Sequence, residues 1–473
     1  MSRFACNTIR TVLAGVLAAA ALASTLAPGG LARADDATAA PATAGAPEPA
    51  RATGAPASAP ATAAPAAAIA APAPVERKPV PFVTAGSKGF ILDSGDGKFT
   101  LRVRGHFQAD GRIFPVKAEP GTTSFVIRSI RFINEGTLWS WFDFRLAVDF
   151  GEGKFDVREA YLDVHPWKFL RLRAGKFKEP FGLERLQTDT TIDFVERAFP
   201  TQLAPNRDIG LELWGDVADG TLWYAAGIFD GVPDGGSTDG DSSDDKDFAL
   251  RVFLQPFKKL KIEALASLGV GFAVTWGGQA GKPDAPNLPA FKSPGQVTIF
   301  SYLTDATTPE NTVIADGPRF RLSPQAYWYW GPVGLLFEYV RSDQFVTKTE
   351  FDHARLTHTA WQLAAYVALG GTETYEGVKV NKPLAPGSAG WGAIELGLRF
   401  HALDLDDRAF PTYASPEKSV SRARTLGGGV HWYLNDNVKL ALDYEHSFFS
   451  GGATGPADRK PEDVLLARFQ VAF

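Results

Sequence analysis

Apolar and polar side chains alternate with a period of two along most of the chain beyond Pro81, which places successive side chains on opposite faces of an extended strand. Leu101, Val103, Gly105, Phe107 and Ala109 share one face, while Arg102, Arg104, His106, Gln108 and Asp110 share the other. Ile394, Leu396, Leu398 and Phe400 stand against Glu395, Gly397, Arg399 and His401 in the same way. The pattern predicts sixteen strands, near residues 100–114, 124–134, 141–150, 155–164, 168–177, 206–216, 221–231, 247–256, 259–269, 319–330, 333–344, 356–369, 391–403, 421–433, 437–449 and 462–473. A soluble sandwich also alternates, but its connections are usually short at both ends. Here 165–167, 217–220, 257–258 and 434–436 are tight, while 178–205, 232–246 and 270–318 are long; 370–390 is the exception among the tight set. Alternating short and long connections on an even strand count describe an all-β chain, a sixteen-stranded antiparallel transmembrane β-barrel.

The aromatic residues support a membrane setting. Trp139, Trp141, Trp167, Trp214, Trp223, Trp328, Trp330, Trp391 and Trp432 all fall beside predicted short turns, where amphipathic rings would sit at one membrane interface. Only Trp276 and Trp361 lie elsewhere. The final strand ends on Phe473, on the apolar face with Val471, Phe469, Ala467 and Leu465.

Composition narrows the picture further. The chain has 473 residues with 48 basic and 53 acidic side chains, a net charge of -5, which argues against nucleic acid as a partner. Its one cysteine, Cys6, forbids a disulfide framework, and neither a metal site nor a cofactor is expected. Arg3 and Arg10, an apolar run from Thr11 to Ala27 and the small-residue site Ala32-Arg33-Ala34 predict a signal peptide over 1–34. Residues 35–81 form an Ala/Pro-rich periplasmic linker: between Ala37 and Pro74, 20 of 38 residues are Ala and 8 are Pro, too few large apolar groups for a core. Residues 82–473 form the barrel, placing the chain in the bacterial outer membrane.

At sixteen strands a barrel encloses water, so charges on its inner face decide what passes. Side-chain parity places Arg102, Arg104, Arg145, Arg171, Arg173, Arg319, Arg321 and Arg399 inside. Arginine stays charged and offers a planar fork of donors suited to phosphate or carboxylate oxygens. The same arginines facing Asp143, Asp149, Glu159, Asp163 and Glu395 could instead form ion pairs that stiffen the wall. The connection after the fifth strand carries apolar residues too often for a solvated loop, so it is expected to fold inward as a constriction, with Lys178, Arg185 and Arg197 as gate cations among several carboxylates.

Two segments within this stretch, GKFKEPFGLE at 175–184 and ERAFP at 196–200, together with RDIGLELWGD at 207–216, resemble the phosphate-selective porin O and P family. The resemblance implies an outer-membrane porin, usually a homotrimer, passing phosphate or polyphosphate through a bore lined by arginines and lysines. By motif position Arg131, Arg173, Lys176, Lys178 and Arg197 match that pattern. A general, weakly selective porin and a structural or adhesive barrel are the alternatives.

Other features carry less. Six aspartates between Asp234 and Asp247 read as a solvated acidic loop, with divalent-cation bridging to lipopolysaccharide as the second reading. Arg422 and Arg424 share parity with Leu426 and Val430, suggesting lipid phosphate contacts or a β-bulge. Seven histidines occur without a Gly-x-Ser-x-Gly or His-Glu-x-x-His motif, so no enzyme is expected.

Overall fold

The computed structural model describes residues 80–115, 121–240, 244–260, 262–348 and 353–473. The predicted signal peptide and all but the last two residues of the predicted linker lie outside these.

A hairpin of β1 (Phe82–Gly86) and β2 (Gly89–Asp93) precedes the barrel and was not anticipated. The barrel strands are β3 (Thr100–Ile113), β4 (Ser124–Leu138), β5 (Phe142–Asp149), β6 (Asp156–Trp167), β7 (Leu170–Lys178), β8 (Arg207–Val217), β9 (Leu222–Phe229), β10 (Asp247–Leu254) and β11 (Gly269–Ala280). A short pair, β12 (Ala290–Lys292) and β13 (Thr298–Ser301), lies in the next connection. The wall resumes with β14 (Ile314–Trp330), β15 (Val333–Thr347) and β16 (His353–Leu369). A second short pair, β17 (Gly371–Thr372) and β18 (Lys379–Val380), precedes β19 (Ala393–Asp404), β20 (Val420–Tyr433), β21 (Val438–Gly451) and β22 (Glu462–Ala472).

Each barrel strand pairs antiparallel with its neighbours, and β22 closes the ring on β3 with Leu465 opposite Ile113 and Ala472 opposite His106. Phe473 completes the seam, its N–H and C=O both bonded to Gly105 at 2.9 Å. Closure satisfies the strand edges that lipid could not. β2 occupies the rest of β3, pairing Phe90 with Val103 through Asp93 with Thr100.

The outward parity is the apolar one. Phe125, Phe132, Leu146, Leu172, Leu211, Phe248, Leu250, Phe272, Leu396, Val430, Leu442 and Phe469 are exposed, a set that is tolerable only against lipid. Trp139, Trp141, Trp167, Trp330 and Trp391 are exposed near the short turns, as an interfacial girdle requires. Trp214 and Trp223 depart from it. They turn into the lumen, with the Arg171 and Arg173 guanidinium groups 4.6 and 4.9 Å from the Trp214 ring and Arg251 5.0 Å from Trp223.

The ninth strand is displaced from its predicted position at 259–269. Alternation continues through Val270, Phe272 and Val274, and the strand occupies 269–280, so the preceding connection is 255–268 and the following one is 281–313.

The interior also departs from a simple water-filled tube. Phe181, Phe199 and Leu203 of the connection 179–206 (L3) pack with Phe291, Ile299 and Phe300 of 281–313 (L5) and with Leu405, Ala409 and Tyr413 of 405–419 (L7). Val340, Leu356, Ala360, Leu403 and Ala423 on the β15–β20 wall complete this dry core. Three inward loops therefore fill one side of the barrel, because each carries more apolar area than a solvated loop could expose without cost. The long inner connection 370–392 enters from the other end: Tyr375 donates to the Leu183 carbonyl at 2.7 Å and stacks on Tyr327 at 5.0 Å.

Candidate permeation pathway

L3 leans on one wall through polar contacts that its sequence explains. Gly182, at φ +79°, turns the chain where a Cβ would meet Glu338 Oε1 and Arg185, and the Glu338 carboxylate accepts the N–H groups of Leu183 and Glu184 at 2.6 and 3.2 Å. Asp443 accepts from the Val195 N–H at 2.6 Å, and Arg399 donates to the Glu196 carbonyl at 2.9 Å. The loop is thereby held against β15, β19 and β21, and open space remains between it and β3–β8.

That space holds several cavities that share lining residues. An outer one of about 570 Å³ is lined by nine cationic and five acidic side chains, Arg128, Arg131, Arg158, Lys178, Arg185, Arg197, Arg207, Lys292 and Arg468 supplying the positive charge. An inner one of about 380 Å³ has seven cations, Lys88, Arg102, Arg104, Arg131, Arg145, Lys178 and Arg207, against Glu159 and Asp189. Two further inner cavities, about 490 and 550 Å³, are nearly balanced in charge. Arg131, Lys178, Asp189 and Arg207 border both the outer cavity and the 380 Å³ one, so they form the waist. Positive charge concentrates there although the chain as a whole is acidic.

The cations at the waist differ in how far they are neutralised. Arg131 is ion-paired with Asp149 at 2.8 Å and Asp189 at 2.7 Å. Arg207 grips Glu159 at 3.0 Å, and Arg145 bridges Glu135 at 3.2 Å and Glu159 at 2.8 Å. Arg197 pairs with Asp189 at 2.9 Å and also donates to the carbonyls of Glu184 and Gln187. Lys178 has no carboxylate within ion-pair distance among the described residues; its ammonium donates to the Gln187 and Leu186 carbonyls at 2.6 and 3.4 Å. Burial pushes the Asp189 carboxyl up, but Arg131, Arg197, Arg207 and Lys178 outweigh that and hold it well below the usual carboxylate range.

The predicted pathway residues separate into two groups. Arg102, Arg104, Arg131, Arg145, Arg171 and Arg173 border the open cavities, with Arg102, Arg104 and Arg145 gathered around the single carboxylate of Glu135. Arg319, Arg321 and Arg399 face inward but are sealed beneath loops. Arg319 binds Asp247 at 2.6 Å, Arg321 binds Asp234 at 2.6 Å and the Val232 carbonyl, and Arg399 pairs with Glu445. Asp234 and Asp247 are thus buried partners, which corrects their reading as a solvated loop. Lys176 and Lys178 belong to the end of β7, not to the constriction loop; Lys176 pairs with Asp239. Arg185 lies within L3 and donates to the Thr201 carbonyl. Arg422 and Arg424 both reach Asp404, beside a register shift between Val420 and Arg422.

Parity reasoning missed Arg128, Arg158 and Arg207. Ser129 pairs with Gln108 and Ile127 with Ala109, leaving Arg128 as the extra residue of a β-bulge. Glu159 and Val157 pair with Ala147 and Val148, leaving Arg158 in the same position on β6. Each bulge turns an arginine that strict alternation would send elsewhere into the outer cavity. Arg207, the first residue of β8, lies opposite Lys178 in the ladder and is held inward by Glu159 of β6.

Comparison with known proteins agrees with this architecture. Residues 99–473 match the family described as phosphate-selective porin O and P. Porin O of Pseudomonas aeruginosa is 24% identical over 388 residues, covering 75% of this chain and 84% of that protein. Among solved structures, an anion-selective porin from Comamonas acidovorans has a TM-score of 0.51 at 10% identity, covering 80% of this chain and 100% of its own. The outer membrane channel DcaP of Acinetobacter baumannii has a TM-score of 0.51 at 9% identity, covering 82% and 100%.

Proposed function

The chain belongs to the phosphate-selective porin O and P family, and with a porin of the bacterial outer membrane as the premise we propose that its pathway favours small anions of the phosphate or polyphosphate class. The observation that carries this reading is the waist, where Arg131, Lys178 and Arg207 meet around Asp189 and Lys178 has no carboxylate within ion-pair distance among the described residues. A solute anion passing there exchanges hydration for ammonium and guanidinium contacts, while paired arginines above and below hold it only weakly and let it leave. Arg102, Arg104, Arg145, Arg171 and Arg173 then form the inner part of the anion path, and Arg185 and Arg197 shape the loop side. We further propose that residues 1–34 are removed on export, that 35–81 act as a periplasmic linker, and that the barrel assembles as a homotrimer in contact with lipopolysaccharide.

The test is reconstitution into a planar bilayer under a potassium chloride gradient. A reversal potential on the chloride side, with chloride current inhibited by added phosphate, supports the proposal. Anion preference without phosphate inhibition leaves a weakly selective porin, and equal passage of potassium and chloride rejects anion selectivity.

A further inference from the structure

The inner connection 370–392 brings Glu373 beside Asp193 of L3 and Glu395 of β19. One carboxylate oxygen from each lies within 4.8 Å of the others, and all three side chains are buried. Neither oxygen of Glu373, which is 2% exposed, has a hydrogen-bond partner among the described residues. One Glu395 oxygen is held at 2.9 Å by His431 Nδ1, whose Nε2 lies 2.6 Å from Asp443. Lys439 directs its ammonium to the main-chain carbonyls of Ile192 and Asp193 at 2.8 and 3.0 Å.

Four carboxylates thus share this buried region with one lysine and one histidine, and oxygens left without donors in such a place are costly. A dication removes both the charge excess and the missing partners. Two ligands on opposite sides of a calcium ion at ~2.4 Å stand ~4.8 Å apart, and the three oxygens all lie within that span. The donors are all hard oxygens and both His431 nitrogens are already engaged, so calcium fits better than zinc. The His431–Asp443 pair orients Glu395 in the manner of an outer-shell support.

We propose that Asp193, Glu373 and Glu395 bind one divalent cation of the calcium class, which ties the constriction loop to the barrel wall and to the inner connection. This is independent of anion selectivity, and its test reads binding, not current. Purified full-length protein in detergent is stripped with EDTA and titrated with terbium, a luminescent calcium substitute excited through nearby tyrosine; Tyr433, whose ring Lys439 overlies at 4.8 Å, is in the field of all three carboxylates. Saturable emission at one ion per chain, displaced by calcium and weakened at least about tenfold in Glu373→Gln, is expected. Glu373→Gln lowers the local negative charge, so folding is retained; Asp193→Asn gives a second reading. In the unaltered protein, EDTA should lower the thermal unfolding temperature and calcium restore it. Emission that is absent, or equal in both variants and the parent, overturns the proposal, as does an unfolding temperature insensitive to EDTA and calcium.

Discussion

Replacing Lys178 with Met retains an unbranched apolar stem and deletes one positive charge at the waist. The ammonium makes only carbonyl contacts, at 2.6 and 3.4 Å, so its removal leaves no carboxylate stranded and the effect should fall on permeating ions. A monovalent anion passing ~5 Å from that charge is stabilised by about 0.8 kcal/mol if the bore behaves as bulk water, and by about 3.3 kcal/mol at an effective dielectric of ~20. The lower figure alone is about fourfold in partitioning, and a cation loses the corresponding penalty, so the anion-to-cation permeability ratio should drop by at least about fourfold. Reversal potentials under a potassium chloride gradient measure this directly. Lys98→Ala is the control, since Lys98 is half exposed and already paired with Asp96 at 3.4 Å. A ratio unchanged in Lys178→Met, with normal single-channel conductance, would refute the assignment of the waist.

Arg171 stacks on Trp214 without a carboxylate partner among the described residues, whereas Arg173 holds Asp163 at 2.8 Å and Glu212 at 3.6 Å. Arg171→Ala should therefore shift the reversal potential toward cations with little loss of stability, while Arg173→Ala should cost about 1–3 kcal/mol through the stranded carboxylates, seen as a lower thermal unfolding temperature. Phe300, fully buried among Phe291, Tyr302 and Phe410, should cost about 3–5 kcal/mol when replaced by Ala, read by the same unfolding assay. Asp189 is held below the usual carboxylate range, so its contribution is complete above the unfolded value of about 4 and disappears only as pH falls through the lower folded value. Asp189 should consequently stay ionised from neutral pH down to roughly pH 4.5, and Asp189→Asn should raise anion preference at pH 7.

Period-two alternation was sufficient for the wall because each strand sees lipid on one face and the lumen on the other, a constraint written residue by residue. It located the strands that carry Arg102, Arg104, Arg145, Arg171 and Arg173 and put all five on the inner face, while Arg131 was indicated only by the family resemblance. It failed where the chain leaves strict alternation. Arg128 and Arg158 sit at bulges, Arg207 is drawn inward by Glu159 of β6, and the ninth strand follows a turn whose apolar residues mimic a strand start. Parity also could not distinguish Arg171, beside open space, from Arg321, buried against Asp234.

What the amino-acid order determined by itself is a closed antiparallel barrel with a greasy exterior, an inward third loop and an arginine-rich inner face. Which inner charges meet solute was decided only by tertiary structure. Three loops and one inner connection, distant in sequence, converge to dry out one side of the lumen, and the charges left uncovered on the other side are those that these segments do not overlie. A local pattern records which face a side chain takes; it holds no information about which remote carboxylate arrives to neutralise it.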